Sequence, residues 1–161
     1  MFISPTDGKR KQLELINDIA QFIEADPDSA YRLIIGSDSH LRGKNGQSKL
    51  KLVTAIVIHR IGFGGRYFWQ GKQVQKSRSL RDKIYAETLL SLETAQKFLP
   101  KLNKRLNGNG NYELEIHIDV GQAGETRDMI KEVVGMVTGN GFTAKTKPDS
   151  YGASKVADKH T

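Results

Sequence analysis

The chain has no cysteine, which excludes disulfides, thiolate metal sites and cysteine nucleophiles together. No apolar run approaches the roughly 18 residues that a membrane span needs. The opening stretch, MFISPTDGKRKQ, turns polar at once and lacks the apolar core of a secretory signal. A cytoplasmic protein without membrane association is therefore expected. Asn107-Gly108-Asn109-Gly110-Asn111 is a turn cluster and not a phosphate loop, because it does not run on into the Gly-Lys-Ser/Thr that a phosphate loop needs. No G-x-S-x-G elbow is available for serine chemistry. No repeat, linker or low-complexity segment breaks the 161 residues, a length that suits a single domain, 1–161.

Acids are almost missing from one window. Between Arg42 and Lys83 there are eleven Lys and Arg against Asp82 alone, a net +10. The remaining 14 basic and 17 acidic residues sum to −3, so the overall +7 is concentrated in one segment. Such concentration suits a polyanion, since neutralised phosphates supply most non-specific nucleic-acid affinity. Arg42, Lys44, Lys49, Lys72, Lys76 and Arg78 are the candidate backbone contacts, and the bland alternative is a solubilising surface.

Residues 1–28 read as a helical extension: Leu13, Ile16, Ile19, Ala20 and Ile23 recur at helical spacing, Asp7 can cap the start and Asp26-Pro27 stops it. The core is 31–161. Tyr31–Leu41 (YRLIIGSDSHL), Lys49–Arg60 and Arg66–Gln70 form a three-strand antiparallel meander, joined by Asn45-Gly46 and Gly62-Phe63-Gly64-Gly65 turns. Tyr67 and Trp69 share a face and could stack on bases, although packing against a helix is the better expectation. A polar loop, Gly71–Ser79, leads to a long helix over Leu80–Leu106 that Pro100 could kink or divide. The strand Tyr112–Val120, a helix from about Glu125 to Thr138, a short strand Phe142–Lys147 and a last helix, Tyr151–His160, complete the order. The expectation is an α/β fold with a mixed five-stranded sheet, the meander plus two parallel strands, helices on both faces and the extra N-terminal helix.

Two strands end in ionisable groups spaced by two: Asp38 and His40 in the first, His117 and Asp119 in the fourth. If these strands are parallel neighbours, Asp38 and Asp119 meet at the carboxyl edge of the sheet, where α/β folds place their ligands. Two close carboxylates are costly to ionise without a cation, and oxygen donors with open positions suit Mg2+ or Mn2+. Adding Glu87 and Asp158 would give four acids around a pair of ions, the clamp used for in-line phosphodiester chemistry. One ion would activate a water and the other would stabilise the leaving oxygen, while the basic meander held the polymer.

This order of strands, helices and acids resembles the ribonuclease H-like fold from Tyr31 to His160. Acids stand at the end of the first strand (Asp38), in the long helix (Glu87), at the end of the fourth strand (Asp119) and in the last helix (Asp158). More closely, GSDSH, HIDVG and KPDSYGASKVADKH are similar to the YkuK-like family of small bacterial proteins assigned to that fold. The resemblance implies a metal-dependent nuclease acting on RNA, DNA or a hybrid. Asp82 and Glu93 compete with Glu87 in the same helix, and Asp149 competes with Asp158. His40 and His117 depart from the superfamily's acid quartet and are candidate outer ligands or proton shuttles.

Asp38-Ser39-His40 also matches the D-x-H that opens the calcineurin-like metallophosphoesterase pattern, but that family's GD, GNH and GHxH blocks are absent. A non-catalytic nucleic-acid-binding module that keeps the fold is the main alternative to a nuclease. A protein-binding scaffold is the third, in which case the basic residues would be dispersed in space.

Overall fold

The computed structural model, which describes residues 1–42, 49–75 and 79–160, is built on one mixed sheet. Its central meander is β3 (Tyr31–Arg42), β4 (Lys49–Arg60) and β5 (Gly64–Gln75), each twelve residues long. β3 pairs antiparallel with β4 from Tyr31↔Arg60 to Arg42↔Lys49, and β4 pairs with β5 along its whole length. Gly62 and Gly64 take φ of 85° and 97° in the turn between them, a conformation that side chains disfavour. On the other side of β3, β6 (Tyr112–His117) and then β7 (Thr143–Lys145) run parallel to it. The helices are α1 (Gln12–Glu24), α2 (Leu80–Arg105), α3 (Ile130–Gly139) and α4 (Tyr151–His160). None of the described helices is long and apolar enough to cross a membrane.

Seven strands are present, not the five expected. The additional pair, β1 (Phe2–Ser4) and β2 (Gly8–Arg10), is a hairpin laid on the edge of β5 through Ile3↔Trp69. The extension is therefore a hairpin followed by a helix. α1 starts at Gln12 and not near Asp7, which instead accepts hydrogen bonds from Ser4 Oγ and Arg66 Nη2 at the hairpin turn. A short charged hairpin blunts an edge that would otherwise expose unpaired backbone groups. β5 continues through Gly71 to Gln75, so Lys72 lies on a strand and not in a loop. Helix α2 runs unbroken past Pro100, its start capped by Ser79 Oγ accepting from the Asp82 N–H at 3.1 Å.

Alternation along β3 assigns its side chains to two unequal layers. Leu33 and Ile35 join Ile56, Phe68 and Ile116 under α1, α2 and α3, whose Leu15, Ile19, Phe98, Leu102, Val133 and Val137 are fully buried. Each such large side chain contributes about 1.5–3 kcal/mol of burial. On the opposite face, Ile34, Val53 and Ala55 meet Ala153 and Ala157 of α4, with Val156 packed beside them. That small-residue contact is supplemented at the end of α4, where the His160 ring stacks on Trp69 at 4.2 Å and Lys51 Nζ donates to the His160 carbonyl at 2.7 Å. Trp69 and Tyr67 thus serve the helix and are not held out for bases.

Candidate active site

The site arises where one strand stops and its neighbour does not. β6 ends at His117, opposite Gly36, whereas β3 continues with β4 as far as Arg42. Beyond Gly36, β3 therefore has a ladder partner on one side only, and groups from both faces of the sheet can converge there. Asp38 lies on the α4 face of β3 and is 8% exposed. Asp119 follows two residues after the end of β6 and is half-buried. Glu87 approaches from α2, on the other face, and is 3% exposed. Ser39 Oγ donates to its Oε1 at 2.5 Å, and Lys83 Nζ lies 3.8 Å from the same oxygen. Asp82 and Glu93, its competitors in the helix, are both exposed.

The electrostatics join four acids. Burial drives the Glu87 carboxyl from its ordinary value near 4.5 up to about 8, with Asp38 and Asp119 adding to the rise and Ser39 and Lys83 opposing it. Burial also raises Asp38, which receives a hydrogen bond from the Ser39 N–H. Lys83 pulls it back, while Asp158 and Asp119 push it further up. Asp158 itself is exposed on α4. Asp149 is exposed too, in the turn that its N–H closes onto the Thr146 carbonyl.

Several residues that complete this edge were not anticipated. Lys147 is anchored by its N–H to the Val120 carbonyl at 2.8 Å and sets its Nζ 2.8 Å from Asp119 Oδ1. Both groups are substantially exposed, so this pair is worth at most about 1 kcal/mol. Ser39 sits between Asp38 and His40 in sequence and faces the other way. Lys83 precedes Glu87 by one helical turn, a spacing that could have been read from the sequence.

Among the described residues, no three or more His, Asp or Glu side chains are grouped tightly enough to hold a metal ion. The acids lie within electrostatic reach of one another, but Glu87 is engaged by Ser39 and Asp119 by Lys147. The donor set still suits a hard divalent cation: it is all carboxylate oxygen, and burial holds its two most buried members toward the neutral form, against the pull of Lys83.

The two histidines part from each other. His40 is exposed on β3, in register with Lys51. His117 is 4% exposed, and its Nε2 lies 2.9 Å from Glu115 Oε2. The other oxygen of Glu115 is 3.2 Å from Arg32 Nε. Burial lowers the His117 pKa below its ordinary value against the opposing pull of Glu115, so the neutral ring donates from Nε2 and Nδ1 carries the lone pair. Nδ1 is buried without a hydrogen-bond partner among the described residues. His117, a candidate outer ligand or shuttle, stands in an Arg32–Glu115–His117 chain on the sheet face under the start of α4. Glu115 was overlooked, although its place two residues before His117 puts both on one face of the strand.

Among the described residues, four of the window's eleven basic side chains form internal ion pairs. Arg60 pairs with Asp26, Arg66 with Asp7, Arg81 with Glu132 and Lys83 with Glu87. Lys72 is exposed. Lys44, Lys76 and Arg78, and the side chains of Arg42 and Lys49, lie outside the described residues.

Comparison with known proteins identifies a family. The ribonuclease H-like family profile matches residues 14–161. A curated relative, "Uncharacterized protein YkuK" of Bacillus subtilis (strain 168), is 33% identical over 170 residues, spanning 100% of this chain and 96% of the relative. No solved structure was found to match.

Proposed function

We propose, from the premise that this chain belongs to the ribonuclease H-like family and to its YkuK-like members, that it is a metal-dependent nuclease hydrolysing phosphodiester bonds. The observation that carries this reading is the convergence of Asp38, Glu87, Asp119 and Asp158 on one sheet edge, where burial first, and then the neighbouring carboxylates, raise the proton affinity of Asp38 and Glu87. A buried carboxyl at about 8 beside a second raised one is a poor structural choice and a good receptor for a cation. Asp38 and Asp119 would be the central ligands of Mg2+ or Mn2+, with Glu87 and Asp158 completing the shell. Bound there, such ions supply charge neutralisation and water activation at the scissile phosphate.

The chain's own residues would do the remainder. Ser39 fixes one Glu87 oxygen, leaving the other for a ligand role. Lys83 and Lys147 are ammonium groups already beside the acids, placed to meet phosphate oxygens once the carboxylates turn to a cation. Lys72, exposed on β5, would hold the polymer backbone further out.

A second reading has its own support. With Lys147 on Asp119 and Ser39 and Lys83 on Glu87, the edge can persist as a polar network, which suits a nucleic-acid-binding module without turnover. The discriminating experiment is cleavage of labelled RNA, DNA and hybrid substrates with and without Mn2+. The nuclease reading expects metal-dependent products that fall on the order of 10^3-fold in Asp38→Asn, the loss of several kcal/mol of transition-state stabilisation. Binding that survives Asp38→Asn with no cleavage in the wild type would establish the module instead.

A further inference from the structure

The N-terminal extension does more than cover an edge. Where β1 and α1 join β5 and α2, they border an open cavity of about 290 Å3 on the same sheet face as Glu87. Phe2 and Gln12, which line it, lie before residue 14, where the family match begins. The cavity is thus assembled partly from an addition to the shared fold.

Its lining sorts into three chemistries. Phe2, Leu90 and Phe98 make an apolar floor. Lys72 and Lys97, both exposed, stand at the rim against Glu93, for a net positive charge. Gln12 and Gln70 contribute primary amides, and Thr54 and Thr94 hydroxyls. The Gln12 oxygen already accepts from Lys101 Nζ at 2.8 Å, so Gln12 chiefly offers a ligand its amide N–H groups. An apolar floor, amide edges and two ammonium groups together match a planar heterocycle that carries a phosphate. The volume lies near the lower limit of small-ligand sites, about 300 Å3, which admits one nucleotide and no duplex.

The location ties this cavity to the acid edge. Lys72 is in register with Leu52, and Leu52 with Ser39, the partner of Glu87. Two strand spacings, about 10 Å, therefore separate the backbone of Lys72 from that of Ser39. Leu90 follows Glu87 by one helical turn on α2.

We infer that this cavity is a nucleotide subsite. It takes one unpaired nucleotide of the substrate strand, with the base on the Phe2–Leu90–Phe98 floor and the phosphate between Lys72 and Lys97. The substrate class narrows accordingly to strands with an unpaired end or an extruded base, and in this respect the inference rests on the nuclease reading.

Calorimetry with a 5′-nucleoside monophosphate, in metal-free buffer, tests it on the full chain. Wild type and Asp38→Asn/Asp119→Asn should bind alike, and Lys72→Glu/Lys97→Glu should bind at least about tenfold more weakly as two phosphate contacts become repulsive. Both lysines are exposed, and unchanged thermal unfolding of the double variant, or the same trend in Lys97→Glu alone, separates lost binding from lost fold. Absence of binding in the wild type, unchanged affinity in the charge-reversed protein, or inorganic phosphate binding as tightly as the nucleotide would each overturn the subsite. Because no metal and no intact acid cluster is required, this result is independent of whether cleavage is ever observed.

Discussion

Two acid–histidine pairs spaced by two look alike in the sequence and are opposite in the fold. In Asp38-Ser39-His40 the acid is buried and the histidine exposed; in His117-Ile118-Asp119 the histidine is buried and the acid half-exposed. The difference comes from where each pair stands relative to a strand end. β3 still has β4 beside it at Asp38, so that carboxyl is enclosed without a ladder partner on its other side. Asp119 has already left β6, and only His117 remains within the sheet, where Glu115 engages its Nε2 and Arg32 in turn pairs with Glu115. A buried charge with a dedicated partner is architecture, whereas buried acids that burden one another are held for something else.

The sharpest way to break this contrast is to remove the burden. Glu87 ionises in the unfolded chain near 4.5 and in the folded chain at about 8. Below the lower value both states are protonated and Glu87 costs nothing. Between the two values only the unfolded state has released its proton, so stability falls as pH rises, and above the upper value the penalty is complete. Denaturant unfolding of the metal-free protein should thus show Glu87→Gln gaining on wild type by up to a few kcal/mol between about pH 5 and 8. A constant difference across that range would mean that Glu87 is an ordinary ionised carboxylate.

The histidines supply a smaller and complementary test. Glu115→Ala leaves Arg32 without its ion-pair partner and the His117 ring without its acceptor, and should cost about 1–3 kcal/mol in urea unfolding. His40→Ala, at an exposed position, should stay within about 0.5 kcal/mol. Equal effects would erase the distinction between the two pairs.

How much of this was legible follows from the range of each interaction. β4, α2 and α4 were readable because their apolar periodicity persists over ten or more residues. Asp38, Asp119, Glu87 and Asp158 were singled out from their places in the order of elements, and their role as cation ligands is the proposal made above. β1 and β2 escaped notice because three residues cannot display an alternation, and Asp7 imitated a helix cap while serving a hairpin turn. The extension of β5 past Gly71 lay in a Gly-Lys-Gln stretch with little strand propensity of its own; pairing with β4 overrides it. Arg32 could not be joined to Glu115 before the parallel register of β3 and β6 was known. Nor could the ion pairs of Arg60, Arg66 and Arg81 be foreseen, since their partners Asp26, Asp7 and Glu132 lie far outside the basic window in sequence.

The central claim is that the acid edge is a cation site, and a Mn2+ titration by calorimetry tests it most directly. The account predicts binding to the wild type that disappears in Asp38→Asn/Asp119→Asn. A folded wild type that takes up no Mn2+ at millimolar concentration, or a double variant that binds it equally well, would contradict the account.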